Sequence, residues 1–257
     1  MTRICLGTKL KDSRTVTSLP LRYCWEDYST REKKLILGAE KIYFPTIHYA
    51  PAFFAIGKKI FPTLQSYLLL GNKIAQLQAF RAANIPVPRT RIFPGRNRME
   101  KIIDAFSFPF VAKIPVGASR GLGVFLIENE QDLRTYLNKV SVAYIQEYIH
   151  TDRDIRVVII GNEPVLSYWK IGRGGTFKTN VAQGGEIDFD RVPEAAVELA
   201  LLAAKRCSLD HAGFDVCMGP LGPVIFEANI HFGREGFKEA GVSYHHLLAK
   251  MADSARI

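Results

Sequence analysis

Residues 213–237 read GFDVCMGPLGPVIFEANIHFGREGF. The apolar runs Gly213–Cys217 and Pro223–Asn229 flank the turn-forming residues MGPLG, a pattern that predicts a β-hairpin. Asp215 and Glu227 stand twelve residues apart with Leu221 midway. A turn there sets the two acids opposite each other, with Cβ atoms about 5 Å apart. Asn229 lies two residues past Glu227 and projects from the same face. Two carboxylates and an amide oxygen therefore converge. Opposed like charges destabilise a sheet, and cations relieve the repulsion. All-oxygen ligands favour Mg²⁺ or Mn²⁺ over zinc, and Mg²⁺ commonly takes one or two carboxylates plus substrate phosphates. The alternative is a pair of solvated surface acids with a turn asparagine. It fits less well, because Val224, Ile225, Phe226 and Ala228 mark a buried strand.

A second stretch, FVAKIPVGASRGLGVFLI, runs from Phe110 to Ile127. Lys113 ends one apolar run, Gly117, Gly121 and Gly123 follow, and another apolar run begins at once. Strands over Phe108–Lys113 and Gly123–Ile127 would enclose a glycine loop. Glycine lets backbone N–H groups come close to a phosphate. The loop is not a GxxxxGK[ST] element, nor a GxGxxG leading from strand to helix, and neither HRD nor DFG occurs in the chain. Taken alone, it reads equally as a flexible hairpin tip with an exposed lysine.

The rest of the chain mixes helices and strands. Strands are expected at Arg3–Gly7, at Lys34–Ala39, after the turn in NIPVP, and at Ala143–Tyr148. A further hairpin joins Ile155–Ile160 to Val165–Ile171. Residues 10–33 read as irregular, and Tyr43–Lys73 as helices wrapped around a first lobe. Asn72 is placed to cap a helix from Lys73 to about Ala83, with Leu77 and Phe80 on its apolar face. Helices are also expected over Glu130–Lys139 and from Pro193 to Cys207. Strands in hairpins with helices between them indicate an α+β fold, not a doubly wound parallel sheet.

The composition, 47% hydrophobic and 23% charged over 257 residues, suits one large globular domain or two packed lobes. No apolar stretch is long enough to span a bilayer. The start, MTRICLGTKLKDS, lacks an apolar signal core, which points to the cytoplasm. Cys5, Cys24, Cys207 and Cys217 form no CxxC pair and read as reduced thiols. A net charge of +9 favours anionic partners. The basic residues are scattered rather than interleaved with aromatics, which argues against a dedicated nucleic-acid binder.

Five motifs now stand in one order: GNKIAQLQAF (71–80), FPFVAKIPVGASRGLGV (108–124), YIQEYIHTDRDIRVVIIG (144–161), GTFKTNVAQGG (175–185), and GFDV followed by FEANIHFGREGF. In these, from Gly71 to Gly241, the chain resembles the ATP-grasp superfamily and, within it, the RimK-like group of ribosomal-protein-S6 glutamate ligases. The resemblance implies an ATP-grasp fold, with two α+β subdomains clasping ATP behind a short divergent N-terminal domain. It implies a division at 1–72, 73–149 and 150–257. Lys73 and Lys113 resemble the two nucleotide-binding lysines. Gly117, Ser119, Gly121 and Gly123 fall in the phosphate lid, and Gln146, Glu147, Tyr148 and Ile149 in the segment that reads adenine. Asp154 matches a nucleotide contact through the ribose. Lys178, Thr179 and Asn180 match a phosphate-side element that is usually Arg-Ser-Asn. Asp215, Glu227 and Asn229 match the magnesium ligands.

Lys178 keeps the usual arginine's charge without its bidentate fork. The segment NIHFGREG replaces the usual NASPGLEG and brings His231, Phe232 and Arg234 beside the metal ligands. Arg156 alternates onto a sheet face, where it either binds a substrate carboxylate or acyl phosphate or pairs with a structural acid. His245 and His246 open the last helix and read as surface or core residues. The candidate catalytic residues are Lys113, Lys178, Asn180 and Arg156. The expected activity is ATP- and Mg²⁺-dependent (or Mn²⁺-dependent) joining of a carboxylate to an amine through an acyl phosphate. The substrates would be small molecules or peptides, among them an acidic amino acid, and a homo-oligomer stays open. The alternatives are a kinase-like phosphotransferase of the same fold and a nucleotide-binding regulator without turnover.

Overall fold

In the N-terminal segment, short apolar strands alternate with helices. The computed structural model describes residues 2–117, 123–172 and 185–257. Strands β1 (Arg3–Leu6), β2 (Thr17–Leu19), β3 (Lys41–Tyr43) and β4 (Lys59–Phe61) pair in parallel in the order β2-β1-β3-β4. Parallel neighbours need a crossover, and helices α1 (Thr30–Gly38) and α2 (Tyr49–Ala55) provide it, followed by α3 (Leu64–Leu68).

The strand expected at Lys34–Ala39 is instead the second half of α1. Its signal was the capping box Ser29-Thr30-Arg31-Glu32. Glu32 N donates to the Ser29 hydroxyl, and Ser29 N donates to the Glu32 carboxylate at 2.7 Å. A six-residue apolar run does not tell a strand from a buried helical turn. Residues 10–33 are also more ordered than expected, since they hold β2 and a 3₁₀ turn at Trp25–Asp27. The stretch Tyr43–Lys73 contains β4 as well as helices.

Helix α4 (Lys73–Ala82) begins where expected, with the Asn72 side chain accepting a hydrogen bond from Ala75 N at 3.0 Å. This cap also fixes the direction in which Lys73 leaves the chain. Asn72→Ala is expected to cost about 1 kcal/mol, which for a chain of this size is a melting shift of about 2–4 °C in a thermal scan.

A second sheet, antiparallel, is built from β5 (Thr90–Pro94), β6 (Phe110–Lys113), β7 (Val124–Ile127) and β8 (Val142–Glu147) in the order β5-β8-β6-β7. Helices α5 (Arg98–Ala105) and α6 (Glu130–Leu137) cover one face, closing a core of Phe93, Ile102, Phe110, Leu133 and Tyr136.

The third sheet contains β9 (Arg153–Ile160), β10 (Glu163–Ile171), β11 (Glu186–Asp188), β12 (His211–Gly219) and β13 (Gly222–Asn229). Its order is β11-β10-β9-β12-β13, antiparallel throughout. The β12–β13 register pairs Asp215 with Glu227 and Gly213 with Asn229, as the sequence spacing predicts. Helix α7 (Glu194–Arg206) packs Ala196, Leu199, Ala200 and Ala203 against this sheet. Helices α8 (Glu235–Glu239) and α9 (Tyr244–Asp253) follow β13. Phe237, Leu248 and Met251 from these helices share a core with Cys5, Tyr43 and Phe61, so the N-terminal sheet is packed onto the third.

Candidate active site

Helix α4 joins the second and third sheets. At its start, Lys73 N donates to Pro115 O at 2.9 Å. One turn on, the Gln76 amide donates to Ala228 O at 2.7 Å and accepts from Ala228 N at 3.1 Å. The strand residue held in this way lies between Glu227 and Asn229. Glu227 accepts from the Asn229 amide at 2.7 Å, and its other oxygen is 3.8 Å from the Lys73 ammonium. Lys113, at the end of β6, reaches toward the same place and lies 5.4 Å from the centre of the Phe226 ring. Lys73 and Lys113 are both buried. Burial pushes the Lys113 ammonium down to about 8; nearby Glu227 opposes that fall and Lys73 adds to it. Lys73, Gln76, Tyr144, Gln146 and Phe226 line a narrow cleft between β8 and β13.

Next to the cleft, four charged residues alternate across β10, β9 and β12. The register pairs Lys170 with Asp154 and Arg156 with Asp215. The Arg156 guanidinium donates to both Asp215 oxygens, at 2.7 and 3.2 Å. The Lys170 ammonium lies 2.8 Å from Asp154 and 2.9 Å from Asp215. Burial alone would raise the Asp215 carboxyl, but Arg156 and Lys170 outweigh it and hold the group well below the usual carboxylate range. Burial likewise disfavours the Lys170 cation, and the two acids more than restore it. The choice left open for Arg156 falls to the acid. The repulsion expected between Asp215 and Glu227 is met by cations of the chain itself.

The donor set fits a hard divalent cation. Among the described residues no three His, Cys, Asp or Glu side chains gather as a metal group; the candidate ligands are two acids and an amide. A carboxylate offers about four acceptor positions. Asp215 spends three on Arg156 and Lys170, which leaves one. The second Glu227 oxygen lies 3.8 Å from Lys73, which leaves it acceptor positions for a cation.

The other predicted residues are placed as follows. Gln146 is buried and donates to the Thr90 hydroxyl at 3.0 Å. Glu147 accepts from Arg89 N at 2.6 Å and donates its own N–H to Arg89 O at 2.8 Å. Tyr148 is half-buried with its hydroxyl 3.2 Å from His150, and Ile149 is half-buried. Asp154 is taken up by Lys170. Gly117 and Gly123 anchor the glycine loop: Gly117 N donates to Gly71 O at 3.1 Å, and Gly123 O accepts from Ile114 N at 2.7 Å. Gly117 has φ +80°, which favours glycine there. Ser119, Gly121, Lys178, Thr179 and Asn180 lie outside the described residues.

Two contributors were missed by the reading of the sequence. Lys170 stands on the inward face of β10, in step with buried Tyr168, and that period of two in SYWKI was its signal. Gln76, on the helix that starts at Lys73, carries no separate signal in the sequence.

With this geometry in hand, the RimK-like ATP-grasp domain matches residues 70–252 of the chain, well over half of it. The chain belongs to the RimK-like ATP-grasp family. Its relatives include the ribosomal protein bS6–L-glutamate ligase of Escherichia fergusonii, 30% identical over 175 residues, which are 65% of this chain and 58% of the relative. The probable alpha-L-glutamate ligase of Haemophilus influenzae is 29% identical over 177 residues, 66% of this chain and 58% of that one. The chain thus spans less than two thirds of the curated relatives it matches.

Solved ATP-grasp structures show the same fold. A RimK-domain ATP-grasp protein of Sphaerobacter thermophilus superposes with a TM-score of 0.71 at 17% identity, covering 97% of this chain and 98% of its own. The D-alanine–D-alanine ligase of Bacillus anthracis, complexed with ATP, gives 0.71 at 15% identity over 100% and 98%. The expected α+β ATP-grasp fold is therefore the observed one. ATP binding belongs to the ATP-grasp family at large. No helix among the described residues is long and apolar enough to cross a membrane.

Proposed function

We propose that this chain is an ATP- and Mg²⁺-dependent carboxylate–amine ligase. The observation that carries the reading is the meeting of Lys73, Lys113, Glu227 and Asn229 at the junction of the two antiparallel sheets, beside a buried acid already matched by cations. A substrate carboxylate oxygen takes the γ-phosphoryl group of ATP, and ADP leaves. An amine then attacks the acyl carbon, phosphate departs with the bonding electrons, and the nitrogen loses a proton. Activation is needed because the free carboxylate resists a nucleophile. Lys73 and Lys113 supply fixed positive charge to the phosphates, with Lys178, Thr179 and Asn180 assigned beside them by resemblance. Asp215, Glu227 and Asn229 would hold Mg²⁺, which neutralises phosphate charge when bound. By resemblance, Gly117, Ser119, Gly121 and Gly123 are assigned to the phosphate side of the site, and residues 146–149 with Asp154 to the nucleoside side. Residues 1–72, 73–149 and 150–257 serve as the N-terminal domain and the two halves of the clasp. An acidic amino acid is the first substrate to test, since the named relatives are glutamate ligases, and the cytoplasm is where ATP is plentiful.

The test is a screen of acids and amines with Mg²⁺-ATP, measuring ADP, free phosphate and amide together. A ligase releases all three. A phosphorylated product without free phosphate means a phosphotransferase, and ATP binding with no product means a regulator.

A pH effect follows from Lys113. With its pKa near 8 instead of the ordinary 10.5, about half of this lysine is neutral at pH 8. Phosphates favour the ammonium, so ATP binding at pH 8 should take up about half a proton, and affinity should decline as pH rises above 8. Near pH 6.5 the uptake should vanish, because the lysine is already charged. Calorimetry in two buffers of different ionisation heat reads the uptake, and Lys113→Met should abolish it.

A further inference from the structure

Of the candidate metal ligands, Asp215 is the one the chain itself already engages most fully. Its Oδ1 atom accepts from Arg156 Nε at 2.7 Å and lies 2.9 Å from the Lys170 ammonium, while Oδ2 accepts from Arg156 Nη2 at 3.2 Å. A carboxylate oxygen has about two acceptor positions, so Oδ1 is filled and the remaining position is on Oδ2. Arg156 grips both oxygens with its fork and so fixes the plane of the carboxylate. Lys170 does something further. Its ammonium sits between Asp215 and Asp154, 2.8 Å from the latter, and closes Oδ1. All three side chains are buried, so salt and water screen their charges little.

The charge balance points the same way. Asp154, Asp215 and Glu227 face Lys170, Arg156 and Lys73, and Lys113 stands near them. These acids are thus matched before any ligand arrives. A divalent cation alone would bring two further positive charges to a buried group already in balance, where Lys170 and Arg156 repel it strongly. Nucleotide phosphates reverse this, because they carry more negative charge than one such cation neutralises.

We propose that Lys170 is a positioning residue acting through Asp215: it keeps that carboxylate from taking a divalent cation until a nucleotide's phosphates arrive, so that metal and nucleotide bind as one. The proposal rests on the ligase reading for which residues meet the metal. By linkage, each of the two partners then raises the affinity for the other by the same factor.

The test is titration of the full chain with Mn²⁺, read by the EPR signal of the free ion, with and without saturating ADP. In wild type, Mn²⁺ should bind the ADP complex about a hundredfold more tightly than the chain alone. Lys170→Met should raise the affinity for Mn²⁺ alone about tenfold and leave that of the ADP complex within about threefold, so that the coupling shrinks. Asp154→Asn combined with Lys170→Met removes the facing acid as well, which keeps the buried charges balanced, and should show the same gain. Lys170→Arg should bind Mn²⁺ alone as weakly as wild type does. A residue that only held the sheet together would lower metal affinity on removal, not raise it. Mn²⁺ binding to wild type that is equally tight with and without ADP, or absent in both, overturns the proposal. So does an affinity for Mn²⁺ alone that both methionine variants leave unchanged or weaken. None of these measurements needs turnover, so the two readings separate. The gain in the variants without amide formation keeps this role and removes the ligase. Amide formation without the gain does the reverse.

Discussion

Asp215→Asn is expected to destabilise the folded chain by about 3–5 kcal/mol, because removing one partner of a buried pair leaves an uncompensated buried charge. Asp215 is nearly buried and serves two cations that are equally so. Lys170 keeps Asp154 when Asp215 is lost, whereas Arg156 has no other carboxylate within bonding distance among the described residues. Urea unfolding without ligands measures the loss. Combining the change with Arg156→Met should recover a large part of it, because the orphaned cation is then gone. Glu227→Gln is the contrast. Its side chain is 27% exposed and its ion pair with Lys73 is long, at 3.8 Å, so less than about 1 kcal/mol is expected. The pH dependence carries the same sign. The folded-state pKa of Asp215 is depressed, so its contribution is complete above the ordinary value of 3.8 and is lost as pH falls through the lowered one.

Lys113→Met should reduce ATP turnover by about 10²–10³-fold, the range found when one fixed donor to a developing charge is removed. Methionine keeps most of the apolar stem but not the ammonium that stands over the Phe226 ring. It also removes a cation that burial disfavours. The melting temperature without nucleotide should therefore hold or rise while activity collapses. Phosphate release and a thermal scan on the same preparation check both halves, and unchanged turnover would take Lys113 out of the site.

The hairpin at residues 213–237 was legible because three independent signals agreed: turn residues, a period of two, and acids equidistant from the turn. The register of Asp215 and Glu227 came out as expected, and so did the Asn72 cap of α4. The register shift beyond Asp215, where Val216 pairs with Ile225, could not be read, since an extra residue in a strand leaves no mark on an apolar run. Lys34–Ala39 was misread because six apolar-rich residues fit either element, and the deciding feature lay five residues upstream in Ser29. The contacts of Arg156 and Lys170 with Asp215 were out of reach for another reason. Lys170 and Asp154 face each other within the expected β9–β10 hairpin, but β12 reaches β9 only after the intervening residues 161–210, and a sheet's neighbour order is a tertiary fact.

The first turn of α4 is fastened on both sides, to Pro115 through Lys73 N and to Ala228 through Gln76. These anchor residues are three apart, about 4.5 Å along a helix axis. So short a span between two sheets acts as a pivot. The points nearest a pivot travel least, so Lys73, Glu227 and Asn229 keep their spacing however the sheets rock. Residues of the second sheet remote from Pro115, such as Ile127 opposite Phe110 at the distal end of β7, lie on the long arm of the lever and sweep a greater distance for a given rotation.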